Sequence, residues 1–254
     1  MIVCKSPGEI ERMRAANALV ADVLAQLAAM VAPGVSTRDL DNAAERLVRE
    51  GGAEPAFKGY RGYPATLCAS VNEQVVHGIP STRPMAEGDI LSLDMGVKLN
   101  GFYGDSAITV AVGRIGEDAR RLLQVTQEAL AQGIAQVRVG GRISDIGHAV
   151  QQHVESHGFS VVREFVGHGI GAALHEEPQI ANYGEPGRGP RMVEGMVFAI
   201  EPMVNMGKAA VKVLADGWTA VTRDGSLSAH FEHTVAVTKN GPDILTMRSP
   251  VGTS

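Results

Sequence analysis

Sliding the chain by 106 residues lays it over itself. Leu24-Ala25-Gln26 falls on Leu130-Ala131-Gln132, and Ala29, Val31, Gly34, Asp39, Ala43, Val48 and Gly52 fall on Ala135, Val137, Gly140, Asp145, Ala149, Val154 and Gly158. An internal repeat of this period restricts the architecture more than any single motif, because it makes the chain two copies of one supersecondary unit. The patterning agrees. Ser6-Pro7-Gly8-Glu9 reads as a capping box opening a helix, Ile10, Met13, Ala16, Val20, Leu24, Leu27 and Val31 recur at helical spacing, and Pro33-Gly34 stops the pattern. A second helix is expected from about Thr37 to Gly51-Gly52. After a loop rich in Gly, Tyr and Pro, β-like runs follow at Ala65–Val71, Asp89–Val97 and Ile108–Val112. The second half repeats this order, with helices expected around 117–138 and 144–157, then runs near 160–165, 196–201, 209–214 and 233–238. The expectation is an α/β (α+β) chain forming a single unit, 1–254, of two pseudo-symmetric halves, approximately 1–115 and 116–254.

Composition narrows the class. With 44% hydrophobic and 20% charged residues, 254 residues can build their own core, and a net charge of −5 argues against nucleic-acid binding through a general basic surface. The N-terminus meets Lys5 and Glu9 before any apolar run, so no signal peptide is read there. The most apolar stretch, 18–32, is interrupted by Asp22 and Gln26 and is too short to span a bilayer. The cytoplasm is the expected compartment, with no membrane partner, and Cys4 and Cys68 are expected as thiols.

Carboxylates carry the chemistry. Glu87-Gly88-Asp89-Ile90-Leu91-Ser92-Leu93-Asp94 aligns with Glu194-Gly195-Met196-Val197-Phe198-Ala199-Ile200-Glu201, so an acid is expected to close the same strand in both halves. Asp105 and Glu232 form a looser second pair, each ahead of an apolar run. A two-fold relation between the halves would bring all four acids to its axis. Four carboxylates do not share a dry site without a cation, and two divalent ions use that many oxygens while keeping a position open for a nucleophile. A histidine is expected to join them, from Phe165-Val166-Gly167-His168-Gly169-Ile170-Gly171 or from Leu174-His175-Glu176-Glu177-Pro178. The glycines flanking His168 permit close backbone approach and favour it as a site residue. No Walker A run, Gly-x-Ser-x-Gly elbow or His-Glu-x-x-His helix occurs. Metal-assisted hydrolysis is the chemistry left.

The ordered set Asp94, Asp105, His168, Glu201 and Glu232, at spacings of 11, 63, 33 and 31 residues, closely resembles the ligand pattern of the methionine aminopeptidases. The resemblance extends through Pro33-Gly34-Val35-Ser36-Thr37, Val76-His77-Gly78-Ile79-Pro80, His175-Glu176-Glu177-Pro178, Ile200-Glu201-Pro202-Met203 and Phe231-Glu232-His233-Thr234. It is nearest to the short bacterial type I form. It implies the pita-bread fold around a central, largely antiparallel sheet, and removal of the initiator methionine from nascent chains whose second residue is small. It further implies two divalent ions (Mn2+, Fe2+ or Co2+). Asp94 would chelate one ion, Asp105 and Glu232 would bridge both, and His168 and Glu201 would complete the other. The implied catalytic set is Glu201 as general base, His175 at the scissile carbonyl and His77 near the peptide's second residue. Tyr60, Tyr63, Cys68 and Trp218 match the methionine side-chain pocket. Nascent N-termini, association with the ribosome and a monomeric state follow from the same resemblance.

One departure concerns specificity. The family often has an aromatic residue directly before the second histidine, where this chain has Leu174 after Ala172-Ala173. Two alternatives compete with the main expectation. An X-Pro aminopeptidase or prolidase would use similar ligands but usually carries an extra N-terminal domain, and a non-catalytic relative that holds N-termini would be expected to have lost ligands.

Overall fold

The capping box at Ser6 forms as expected: the Ser6 side chain accepts from the Glu9 amide while the Glu9 carboxylate accepts from the Ser6 amide, with Pro7 in the first turn. In the computed structural model, which describes residues 1–247, this opens α1 (Pro7–Met30). A second box, Ser36 with Asp39, opens α2 (Thr37–Glu50), which ends at Gly51-Gly52. The last seven residues of the expected 1–254 unit lie outside the described residues.

Short β1 (Glu54–Pro55) and a 3-10 turn at Tyr60–Gly62 lead to β2 (Cys68–Val71), β3 (Gln74–Val76) and a long hairpin, β4 (Ile90–Leu99) and β5 (Phe102–Ala111). The second half runs α3 (Glu117–Ile134), α4 (Ile143–Ser156), β6 (Ser160–Val161), β7 (Gly167–Gly169), β8 (Glu176–Ile180), β9 (Val197–Ile200), β10 (Met203–Asn205), β11 (Val211–Val213), β12 (Ala220–Thr222), β13 (Ser228–His230), β14 (His233–Thr238) and β15 (Gly241–Ile244). Every strand pairing among the described residues is antiparallel. In the first half β4 lies between β5 on one side and β1 and β2 on the other. In the second half the order is β15-β14-β9-β7-β8.

Each half lays its two helices on its own sheet. Leu24 and Leu27 of α1 and Leu40 of α2 bury against Leu91, Leu93 and Met95 of β4, while Leu130 and Ile134 of α3 and Ile146 of α4 bury against Phe198 and Ile200 of β9. Burying a side chain of this size stabilises the fold by roughly 1.5–3 kcal/mol. The halves are stitched where β5 meets the segment leading into β14. The Glu232 amide donates to the Ala107 carbonyl at 2.8 Å, Ser106 Oγ to the Glu232 carbonyl at 2.7 Å, and Thr234 Oγ1 to the Asp105 carbonyl at 2.8 Å. The architecture is the pita-bread arrangement expected above. No helix among the described residues is long and apolar enough to cross a membrane.

Four expected strand bounds need correction. Asp94 does not close its strand: β4 continues five residues beyond it to Leu99, because β5 pairs with it along its whole length. Glu201 does follow the end of β9, since Pro202 has no amide to continue the ladder and the chain leaves for β10 in another sheet. The run at 108–112 is only the end of β5, which begins at Phe102, and the runs at 160–165 and 209–214 shrink to the two residues of β6 and the three of β11.

Candidate metal centre

The seam between the halves sets the site. Asp105 projects from β5 and Glu232 from the turn between β13 and β14, and the backbone bonds that join these segments hold the two carboxylates side by side. His168 reaches them from the middle of β7. A Cβ on Gly167 would lie 2.3 Å from the Ala199 carbonyl and one on Gly169 2.3 Å from the Glu177 carbonyl, so only glycine lets the neighbouring chains close on either side of this histidine. Asp105, His168 and Glu232 each bring a ligand atom within 4.8 Å of the others, all three buried.

His168 is oriented by its own backbone. Nδ1 bonds the Gly169 carbonyl at 2.9 Å; because a carbonyl only accepts, Nδ1 carries the proton and Nε2 keeps its lone pair. Nε2 points at Glu201 Oε1, 3.6 Å away, and at Asp105 Oδ2, 3.8 Å away. Asp94, opposite Cys68 across the β2/β4 ladder, lines the same cavity.

Burial and mutual repulsion govern the charges. Desolvation pushes Asp94 up to about 7 and Glu201 up to about 8, with the neighbouring Glu201 charge adding to the rise at Asp94. Asp105 and Glu232 are raised further, by burial first and by the surrounding carboxylates second. Burial drops His168 to about 4, with His175 adding to it, so this ring is neutral and free to ligate at neutral pH. Asp105 Oδ1 and Glu232 Oε1 are buried without a hydrogen-bond partner. Orphaned, crowded carboxylate oxygens around one imidazole lone pair fit divalent cations of the oxygen-preferring kind.

The cavity holds about 150 Å³, many times the ~10–15 Å³ a single water needs. All eleven residues singled out in the sequence line it: the five acid and histidine candidates together with Tyr60, Tyr63, Cys68, His77, His175 and Trp218. His175 stands at the open side, its Nδ1 2.9 Å from the Tyr60 hydroxyl, its ring stacked on that of Tyr60 and 4.2 Å from the His168 ring. His77 sits edge-on to Phe165 and Trp218, with a φ of 60° in the left-handed region. The Tyr63 hydroxyl is tied to the Leu67 and Gly78 carbonyls, at 3.0 and 2.9 Å, so it presents its ring to the cavity and packs edge-on to Trp218. Burial pushes the Cys68 thiol well up, which keeps it an uncharged packing group.

Phe57, Arg61 and Leu174 also line the cavity. A further residue was missed in the sequence: His230, fully buried at the end of β13, has Nε2 3.6 Å from Glu201 Oε2 and no hydrogen-bond partner there. The available signal was its position two residues before Glu232, which β alternation turns to the same side.

The family model for metallopeptidase family M24 matches residues 11–239. Methionine aminopeptidase 1 of Bacillus subtilis is 54% identical over 246 residues, covering 97% of this chain and 99% of that protein. Among solved structures, methionine aminopeptidase from Rickettsia prowazekii superposes with a TM-score of 0.96 at 43% identity, covering 97% of this chain and all of that one. The enzyme from Thermotoga maritima gives 0.96 at 47% identity, covering 98% and 100%.

Proposed function

The chain belongs to the methionine aminopeptidases of metallopeptidase family M24, and from that premise we propose that it removes the initiator methionine from nascent proteins whose second residue is small. The observation that carries this is the convergence of Asp94, Asp105, His168, Glu201 and Glu232 on one cavity, with two buried carboxylate oxygens left without partners. Asp94, Asp105 and Glu232 would hold one cation, and Asp105, Glu232, His168 and Glu201 a second. Mn2+, Fe2+ or Co2+ suits this oxygen-rich set with a single imidazole. Such cations, when bound, polarise the scissile carbonyl and lower the pKa of water.

The protein's own groups do the rest. Glu201 is the proton carrier: its carboxylate, facing the water side of the site, takes the proton of the attacking water and hands it to the leaving amine. His175 serves the oxyanion. In the tautomer whose Nδ1 accepts from the Tyr60 hydroxyl, 2.9 Å away, the ring proton lies on Nε2, and a donor of this kind contributes about 3 kcal/mol to acyl-transfer transition states. His77 lies along the path of the peptide's second residue. The methionine side chain lodges among Tyr60, Tyr63, Cys68 and Trp218, joined by Phe57 and Leu174, where a flexible thioether gains from sulfur–aromatic contact. Nascent chains as substrate imply work in the cytoplasm beside the ribosome, and the family resemblance implies a monomer.

Peptide preference tests the proposal. Met-Ala-Ser should lose its methionine while an Ala-Pro peptide stays intact; cleavage confined to the bond before proline would transfer the protein to the X-Pro class.

A further inference from the structure

Outside this cavity's lining, a second group of three metal-capable side chains meets on the helical layer of the second half. Glu128 projects from the middle of α3, His153 from the last turn of α4, and His157 from the position just after α4. One ligand atom of each lies within 4.8 Å of the other two. His153 Nε2 is 3.1 Å from Glu128 Oε2, and the two imidazole rings lie 4.5 Å apart at 42°.

Surrounding bonds fix the orientation of these groups. His157 Nδ1 bonds the His153 carbonyl at 2.8 Å, so that nitrogen carries the proton and Nε2 has the free lone pair. Ser156 Oγ lies 3.2 Å from the same Nδ1 and donates to the same carbonyl. Gln124 Nε2 donates to Glu128 Oε1 at 2.8 Å, turning Oε2 toward His153. Arg121 donates to the His157 carbonyl at 2.8 Å and lies over the Phe159 ring, which pins the end of α4 to α3. An imidazole held through its far nitrogen by a carbonyl, beside a carboxylate held by an amide, is the supporting arrangement that metal ligands need.

We propose that Glu128, His153 and His157 form a surface site for Zn2+, with three protein ligands and the remaining position open to water. The ion would displace the proton of the 3.1 Å His153 Nε2–Glu128 Oε2 hydrogen bond, and since two ligands at 2.0–2.2 Å from a tetrahedral zinc lie about 3.3–3.6 Å from each other, this pair needs to open by only a few tenths of an ångström. Two imidazoles and one carboxylate favour Zn2+ over the Mn2+ that the oxygen-rich cavity suits, so the two sites differ in the ion they select. A bound ion would cross-link α3 to the end of α4.

Equilibrium dialysis of the full-length protein against Zn2+ tests this, comparing it with a His153→Gln, His157→Gln double variant whose fold is checked by its melting curve without zinc. The expected result is one equivalent of zinc fewer in the variant, with Mn2+-supported activity unchanged. Equal stoichiometry in the two proteins would overturn the proposal. Crystals of the unaltered chain soaked in Zn2+ give an independent readout. An anomalous peak within bonding distance of both histidines supports the site, and its absence at these residues while zinc is bound elsewhere refutes it.

Discussion

Asp105 and His168 do not act alone: each is held by a backbone contact that leaves its reactive atom free, the Asp105 amide on Asn17 Oδ1 at 3.3 Å and His168 Nδ1 on a carbonyl. Their removal therefore takes away ligand atoms without opening a large cavity. His168→Ala and Asp105→Asn should each cut Met-Ala-Ser turnover by more than ~100-fold, the upper limit for a merely supporting residue, with the circular dichroism spectrum unchanged. His230→Gln, which withdraws an imidazole facing Glu201, should cost about 10–100-fold in turnover or in metal affinity, read by kinetics beside a metal titration. Full activity in it would make His230 a packing residue. The acids were legible in the sequence because each interrupts or borders an apolar run, and the repeat paired two of them. His230 was harder to see, because a single histidine in Ser228-Ala229-His230-Phe231 is marked only by its spacing of two from Glu232, and the fold brings it to Glu201.

At the scale of elements, β5 carries the most constraint. A Cβ added at Gly104 would lie 2.8 Å from the Ala16 and Asn17 backbone atoms of α1, so α1 rests directly on the strand that bears Asp105. Gly104→Ala should destabilise the protein by roughly 1–3 kcal/mol through overpacking, lowering the melting temperature by several degrees, and should weaken metal binding because Asp105 is next in the chain. An unchanged melting temperature would mean that α1 can move away at little cost. The helices were readable to within a few residues because their caps and periodicity are local. The strands were readable in part: β4, β9 and β14 fall close to their expected runs, but Phe102-Tyr103-Gly104-Asp105-Ser106 lacks alternation because it is covered by α1 on one side and joined to the other half at its edge, and Gly167–Gly169 reads as a loop until β8 and β9 flank it.

The whole molecule is two similar halves whose sheets meet at a charged seam, and its stability should report that charge. In the metal-free protein Asp94 near 7 and Glu201 near 8 lie above their ordinary values, so the folded state holds protons that the unfolded chain has already lost. Stability from such groups is complete at pH below their unfolded values and is lost as pH rises through the folded ones. His77, His168 and His233, depressed to about 4, act oppositely, but only below about pH 6.5, where the unfolded histidines gain protons. Between pH 6.5 and 8.5 the carboxylates therefore prevail. The unfolding free energy of metal-free protein should fall across that window, by ~1.4 kcal/mol per pH unit for each proton retained, lowering the melting temperature with it, and saturating Mn2+ should flatten the slope. A metal-free protein whose melting temperature is level there would mean that the acids are not packed together as described. The most direct test of a catalytic metal centre on this seam is a titration of metal-stripped protein with Mn2+ while methionine release from Met-Ala-Ser is followed. Turnover should be absent at the start and rise to a plateau as the site fills; undiminished turnover in the stripped protein would contradict it.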